Sequence, residues 1–544
     1  MKKILISTGI LILVIVLAFY LKSVLGSGGS FTKTEHGGTD VNTNSITGVY
    51  RSSVDKTATG HPAAAGECVH CHEEHASIEG TEPAPTGGPD DYLLMRANDN
   101  NLCYECHTGS LNRIWPGSGA LNYDGSGHGS TTALYNSRDV KLCVQCHNPH
   151  GAIDTDYSAT NPCPRMTRYI EEKTCLSNGG SAGAGCHGSA GNPTGAKNIY
   201  SLFYTKTYRH PLSPALDAAR GKTGVHSSLE SQSTYPTGTA FYGANRHVEC
   251  VDCHNPHTAR NYGTAGNSTH TATGATYPAP TNIASRALLG AWGVEPTYGA
   301  TPWIAPTSYT VRNFTTVDDT ANKEYQLCFK CHSSFAYGAT PPSGYTDQSI
   351  EFNPNNKSYH PVRSLIPTNS YTSPSATNGN RETMAAPWNN GAHDLMYCSD
   401  CHGSETDTDP EGPHGSTNQY IIIRSTSATD NTLCLRCHLS TVYNPASNPG
   451  SGTETGSRFD QQTSGNNSAN HYNHVTSRGK FCRDCHAGTQ TLPTGNSPVA
   501  LAPGSAHGTN TVTGFVNGVN MNSYTIGNCD PACHGNQTYT AGVE

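Results

Sequence analysis

Apolar positions are concentrated at one end of the chain and scattered elsewhere. Lys2 and Lys3 precede a predominantly apolar run from Ile4 to Tyr20, followed by Lys22 and the small-residue stretch Gly26 to Ser30. A charged start, an apolar middle and a small-residue exit read as a signal peptide over 1–26, with Val24 at the minus-three position. The rival reading is a retained membrane anchor, because a run of 17 residues sits at the low edge of a spanning helix. Later apolar positions come in short pieces: Tyr92-Leu93-Leu94-Met95, Tyr169-Ile170, Ala287-Leu288-Leu289 and Tyr420-Ile421-Ile422-Ile423. Each is too short for an amphipathic helix. Between them, stretches rich in Gly, Pro, Ser, Thr, Tyr and Asn, such as 260–322 and 339–392, read as long wrapping loops with a few turns and short strands.

Composition sharpens this. The 544 residues are 34% hydrophobic and 14% charged, against about half and a quarter in an average globular chain. Such a chain can build neither several ordinary apolar cores nor a charge-rich disordered ensemble. The net charge of -8, with Lys and Arg scattered, offers no basic patch for nucleic acid. The unusual residues are 21 cysteines and 27 histidines.

Export and many cysteines suggest a disulfide framework, but spacing overrules it. Cys-x-x-Cys-His occurs eight times: Cys68, Cys71 and His72; Cys103, Cys106 and His107; Cys143, Cys146 and His147; Cys250, Cys253 and His254; Cys328, Cys331 and His332; Cys398, Cys401 and His402; Cys434, Cys437 and His438; Cys482, Cys485 and His486. This is the c-type haem attachment pattern. Residues at i, i+3 and i+4 share one face of a helical turn, so two thiols can bond the haem vinyls while the imidazole reaches the iron. Zinc would need two such pairs converging and no histidine after every second cysteine. Two variants follow the same chemistry: Cys529, Cys533 and His534 carry one extra residue, and Cys175 is separated from Cys186 and His187 by ten, four of them glycine. Ten sites for haem c result. Cys163 is left over, as a free thiol or a disulfide partner of Cys175. The expected fold is mostly irregular coil with short α-helices at the attachment motifs and few short strands, organised by haem.

Each iron also needs a sixth ligand or an open position. Seventeen histidines lie outside the ten attachment positions, whereas Met totals six, so bis-histidine coordination is the economical reading. The spare histidines recur about the motifs. His75, His150, His257, His414 and His507 follow five of them; His61, His128, His247 or His226, His393, and His474 or His471 precede the same five. His36, His70, His210, His270 and His360 lack this regularity, and His210 and His360 remain candidates through their His-Pro contexts. Motifs flanked by spare histidines alternate with motifs preceded by polar residues and often Leu. This gives an N-terminal segment 27–60 and five dihaem units, 61–127, 128–209, 210–359, 360–470 and 471–544. Flanked motifs begin at 68, 143, 250, 398 and 482, too irregular for a solenoid.

The alternation of Cys-x-x-Cys-His-x-x-His with a later Leu-Cys-x-x-Cys-His resembles the doubled-haem motif of exported multihaem cytochromes from metal-reducing bacteria. It is particularly similar to the cytochromes that polymerise into extracellular nanowires, best at Gly60 to His75. The resemblance implies a homopolymer in which His75 ligates a haem of the neighbouring subunit. It also implies electron donation by other multihaem cytochromes or an outer-membrane porin-cytochrome conduit, and extracellular electron acceptors. The expected place is secreted, at the outer cell surface or beyond, with the periplasm as second choice. No catalytic residues are assigned: the expected role is electron transfer through the haem chain. The alternatives are a multihaem reductase with one open haem, for which the Cys175 site is the candidate, and a membrane-anchored quinol-oxidising cytochrome.

Overall fold

The computed structural model describes residues 99–104, 123–135, 138–151, 166–176, 184–189, 192–212, 248–260, 282–316, 318–341, 346–356, 358–364, 384–386, 395–425, 430–446, 472–482, 507–509, 521–525, 528–531 and 537–538, the strands Glu79–Thr81 and Ala84–Thr86, and His36, Cys68, Cys71, His72, Leu94, His107 and Trp388. The signal segment 1–26, Cys163, Cys106, Cys485, Cys533, His61, His70, His75, His226, His247, His270, His393, His471, His486 and His534 lie outside these residues. Cys529 is described only as part of the strand Asn528–Pro531.

The chain is mostly irregular coil, as its composition predicts. Among the described residues, helices run three to six residues, and strands pair in sheets of two or three. Short helices coincide with the attachment motifs because the motif itself closes one turn. The N–H of each described motif histidine donates to the carbonyl of the first cysteine four residues back: His72 to Cys68, His107 to Cys103, His147 to Cys143, His254 to Cys250, His332 to Cys328, His402 to Cys398 and His438 to Cys434, all at 2.8–3.0 Å. No described helix is long and apolar enough to cross a membrane.

The region read as a wrapping loop, 260–322, holds the longest hairpin among the described residues. Trp292–Thr297 pairs antiparallel with Ser308–Asn313, with Val294 opposite Val311. Its signal was the alternation of Trp292, Val294 and Pro296, which sends one face inward. Trp292 and Val294 pack with Tyr325, Phe329, Phe352, Val362 and Met396 in an apolar cluster that touches Cys398 and Cys401. Helix Glu324–Phe329 lies directly on the strand, and Gly293 permits it: a Cβ there would collide with the Gln326 carbonyl. Two smaller clusters form around Phe314 and around Phe203, the second touching Cys175 and Cys250. Apolar side chains therefore gather where attachment motifs meet.

Two strand pairs join distant parts of the chain. Tyr208–Arg209 pairs with Gly415–Ser416, and Ser358–Tyr359 pairs with Gly508–Thr509. Each strand ends beside a spare histidine: His210, His414, His360 and His507. Gly415 is tight against Leu202, whose carbonyl a Cβ would strike, so glycine is needed for the two chains to approach.

Candidate haem-binding site

Seven pairs of imidazoles face one another across nearly equal gaps. Ring centres are 6.0 Å apart for His36 and His107, 5.7 Å for His72 and His150, 5.9 Å for His147 and His257, and 6.1 Å for His128 and His187. They are 6.1 Å apart for His254 and His414, 6.0 Å for His210 and His332, and 5.9 Å for His402 and His507. A metal ion bound to one nitrogen of each ring at about 2 Å sets the ring centres close to 6 Å apart. In each pair one histidine belongs to an attachment motif and the other is a spare one. Among the described residues no three His, Cys, Asp or Glu side chains converge to hold a bare ion. Two opposed imidazoles with two adjacent thiols fit haem c, where the porphyrin nitrogens fill the remaining positions.

Burial prepares these rings. It pushes His36, His187 and His402 down to about 4, and His332 and His414 down to about 3, with neighbouring imidazoles adding to the effect. They are therefore neutral at pH 7, the state that offers a nitrogen lone pair to a metal. Three attachment histidines meet acceptors through Nδ1: His254 Nδ1 stands 2.9 Å from the Ala287 carbonyl, His402 Nδ1 2.9 Å from that of Tyr420, and His187 Nδ1 3.1 Å from that of Lys197. This gives the short apolar pieces a role. Ala287 and Tyr420 belong to two of them, and Leu94 and Ile422 bridge His72 and His402 through the backbone. The geometry at Tyr420 is strained. Tyr420 and Ile421 have φ of 64° and 58°, a rare conformation for a β-branched residue. It aims the Tyr420 carbonyl at the imidazole.

The ligand pairs obey a register. A flanked motif takes its second imidazole from the following unit: His72 from His150, His147 from His257, His254 from His414 and His402 from His507. A second-type motif takes it from the start of its own unit, as His187 does from His128 and His332 from His210. The two kinds of spare histidine are tied together. His128 Nδ1 lies 2.9 Å from the carbonyl of Pro256, immediately before His257, and His210 Nδ1 lies 2.7 Å from that of Pro413, immediately before His414. His36 bonds the backbone of Pro149, immediately before His150. His36 thus occupies the place of His128 and His210, serving His107, although its sequence position suggested no ligand. A signal existed: His36, His128 and His210 are each followed by Gly or Pro. His360, in the same His-Pro context as His210, donates its backbone N–H to the His507 carbonyl at 2.9 Å. His438 meets Tyr443 edge-on at 5.2 Å, and His474 lies in the turn Tyr472–Ser477.

The irregular Cys175 site keeps the regular geometry. His187 N–H donates to the Cys175 carbonyl at 2.9 Å, the same bond that closes the ordinary motifs, although ten residues separate the two cysteines.

Neighbouring motifs lie close together in chain order. The Cys103 thiol bonds Cys143, Cys175 bonds Cys250, and Cys328 bonds Cys398, each joining the second motif of one unit to the first of the next. Within units, Cys146 faces Cys175 and Cys186, Cys253 faces Cys331 and Cys328, and Cys401 faces Cys434. The junctions between units are reinforced alike. Asn100 Oδ1 accepts the Cys143 N–H at 2.8 Å, Glu171 Oε1 the Val251 N–H at 2.8 Å, Glu324 Oε1 the Ser399 N–H at 2.9 Å, and Asn431 Oδ1 the Cys482 N–H at 2.8 Å. Asn100→Ala also loses the bond from Nδ2 to the Lys141 carbonyl. It should lower the unfolding free energy of the haem-loaded protein by about 1–2 kcal/mol in denaturant titration; an unchanged midpoint would show that the junction bond is idle.

A family model described as the doubled CXXCH motif matches residues 61–111 and 387–442, which contain the Cys68, Cys103, Cys398 and Cys434 sites. No curated protein and no solved structure matches the chain. The paired motifs identify a multihaem c-type cytochrome carrying covalently bound haem c, a class whose role is electron transport.

Proposed function

We propose that this chain is a decahaem electron conduit for extracellular electron transfer, exported from a bacterium and assembled into filaments. One observation carries the reading: consecutive attachment motifs lie close together in chain order from Cys103 to Cys434, and Asn431 extends the series to Cys482. Haem iron supplies the one-electron couple. The polypeptide supplies spacing, ligands and a dry surrounding. Ten sites in 544 residues make one haem per about 54 residues, and Cys529, Cys533 and His534 are the tenth.

Support for the filament is the ligand register. Each of the four described flanked motifs is completed from the following unit; carried one step further, the rule seeks a donor for His486 and an acceptor for His75. A second copy of the chain meets both needs at once, His75 of one subunit serving the His486 haem of the next. The donor to such a filament would be another multihaem cytochrome or a porin-cytochrome conduit. His75→Ala should abolish fibres in electron micrographs while each chain keeps its full haem mass. Fibres of normal length and number would remove His75 from the boundary.

A further inference from the structure

Six described ligand histidines, His36 among them, rest a ring nitrogen on a backbone carbonyl, a neutral acceptor. His128, His187, His210, His254 and His402 meet the carbonyls of Pro256, Lys197, Pro413, Ala287 and Tyr420. His507 differs. Its Nδ1 lies 2.7 Å from Oε2 of Glu351, a side chain with no solvent exposure, at the end of the short helix Gln348–Glu351. Phe352 covers the same imidazole, with ring centres 4.9 Å apart, and belongs to the main apolar cluster. The backbone pair between Gly508 and Tyr359 and the bond from His360 N–H to the His507 carbonyl fix the ring against that helix.

We propose that Glu351 is a positioning residue which, through His507, makes the haem held by Cys398, Cys401 and His402 the lowest in reduction potential of those completed by the five pairs with a described acceptor. A ligand imidazole donating to a carboxylate takes on histidinate character and becomes a stronger base, which favours the oxidised iron. Water screens the contact only from the His507 side, since Glu351 is wholly buried, so the effect exceeds that of an exposed pair. The haem concerned lies in the interior of the series, between the Cys328 and Cys434 sites. Its low potential sets a step that electrons must cross in either direction. This inference rests on the haem chain, but not on export or on filament formation.

Glu351→Gln keeps the side-chain volume and an acceptor oxygen while removing the negative charge. In the haem-loaded full chain it should raise the midpoint of one low-potential haem in a spectroelectrochemical titration, with the others unmoved and no new high-spin signal. Near-infrared magnetic circular dichroism of the unaltered protein should show one component with a histidinate-type ligand field, independently of whether the variant folds. An unmoved titration curve in a low-spin Gln variant would overturn the proposal. So would a near-infrared band in which every haem carries ordinary imidazole ligands. Failure of the haem chain itself would instead show as a wrong haem count before any substitution.

Discussion

Replacing His414 by alanine should change a haem attached more than 160 residues upstream and leave the one beside it untouched. His414 follows the Cys398 motif by a dozen residues, so proximity in sequence would make it a ligand of that motif. The fold sends it elsewhere. Strand Gly415–Ser416 pairs with Tyr208–Arg209 and carries His414 to within 6.1 Å of His254, the planes inclined by 22° and Phe203 edge-on against the ring. His414→Ala should therefore make the haem on Cys250 and Cys253 five-coordinate and high-spin, create one carbon monoxide site per chain, and raise that haem's potential. Total haem mass should not change, because the thioether bonds are intact. Adding Cys250→Ala and Cys253→Ala should delete the new high-spin signal. If the signal persists in the triple variant, His414 serves another haem and the register fails.

The second large effect is in stability against pH. Glu324 is buried at the junction between the Cys328 and Cys398 motifs, accepting from Ser399 N at 2.9 Å and from Ser399 Oγ at 2.7 Å. Burial drives its carboxyl up from 4.5 to about 8; Asp400 and Glu411 push the same way, and the two serine bonds oppose them. The folded state thus holds this proton where the unfolded chain has released it. The favourable contribution is complete below about pH 4.5 and disappears as pH rises through about 8. Each tenfold difference in proton affinity is worth about 1.4 kcal/mol, so the loss across that window is of order a few kcal/mol. Glu324→Gln retains partners for both serine groups without a titrating proton. Denaturant midpoints measured from about pH 5 to 9 should fall with pH in the unaltered protein relative to the variant. Parallel profiles would show that Glu324 does not titrate in this window.

Local chemistry was readable from the sequence, and long-range assignment was not. A thioether pair and its histidine must lie within one turn, so covalent chemistry writes itself into fixed spacing; even at Cys175 the returning His187 N–H preserves the turn. The trailing histidines were visible as CHNPH or GPHGS, but their partners were not. His150 lies three residues after His147 and faces His72 instead, because strand pairs and proline carbonyls set the ligand register across units. His36 is hard to read for the same reason: its only local mark is the glycine after it, and its role depends on Pro149. The hairpin at 292–313 was hidden by a composition of Gly, Thr, Tyr and Pro that resembles a loop. Only two or three inward positions carry its core, and Trp292 and Val294 are enough because helix Glu324–Phe329 closes over Gly293.

An experimental density map of the haem-loaded protein, read for iron positions and axial ligands, tests the chain of sites most directly. The account predicts irons in the order of their attachment motifs, each within contact distance of the next, with His150, His257, His414 and His507 reaching back to the units that precede their own. Irons in a branched or scrambled order, or trailing histidines bound to the haem of their own motif, would contradict it.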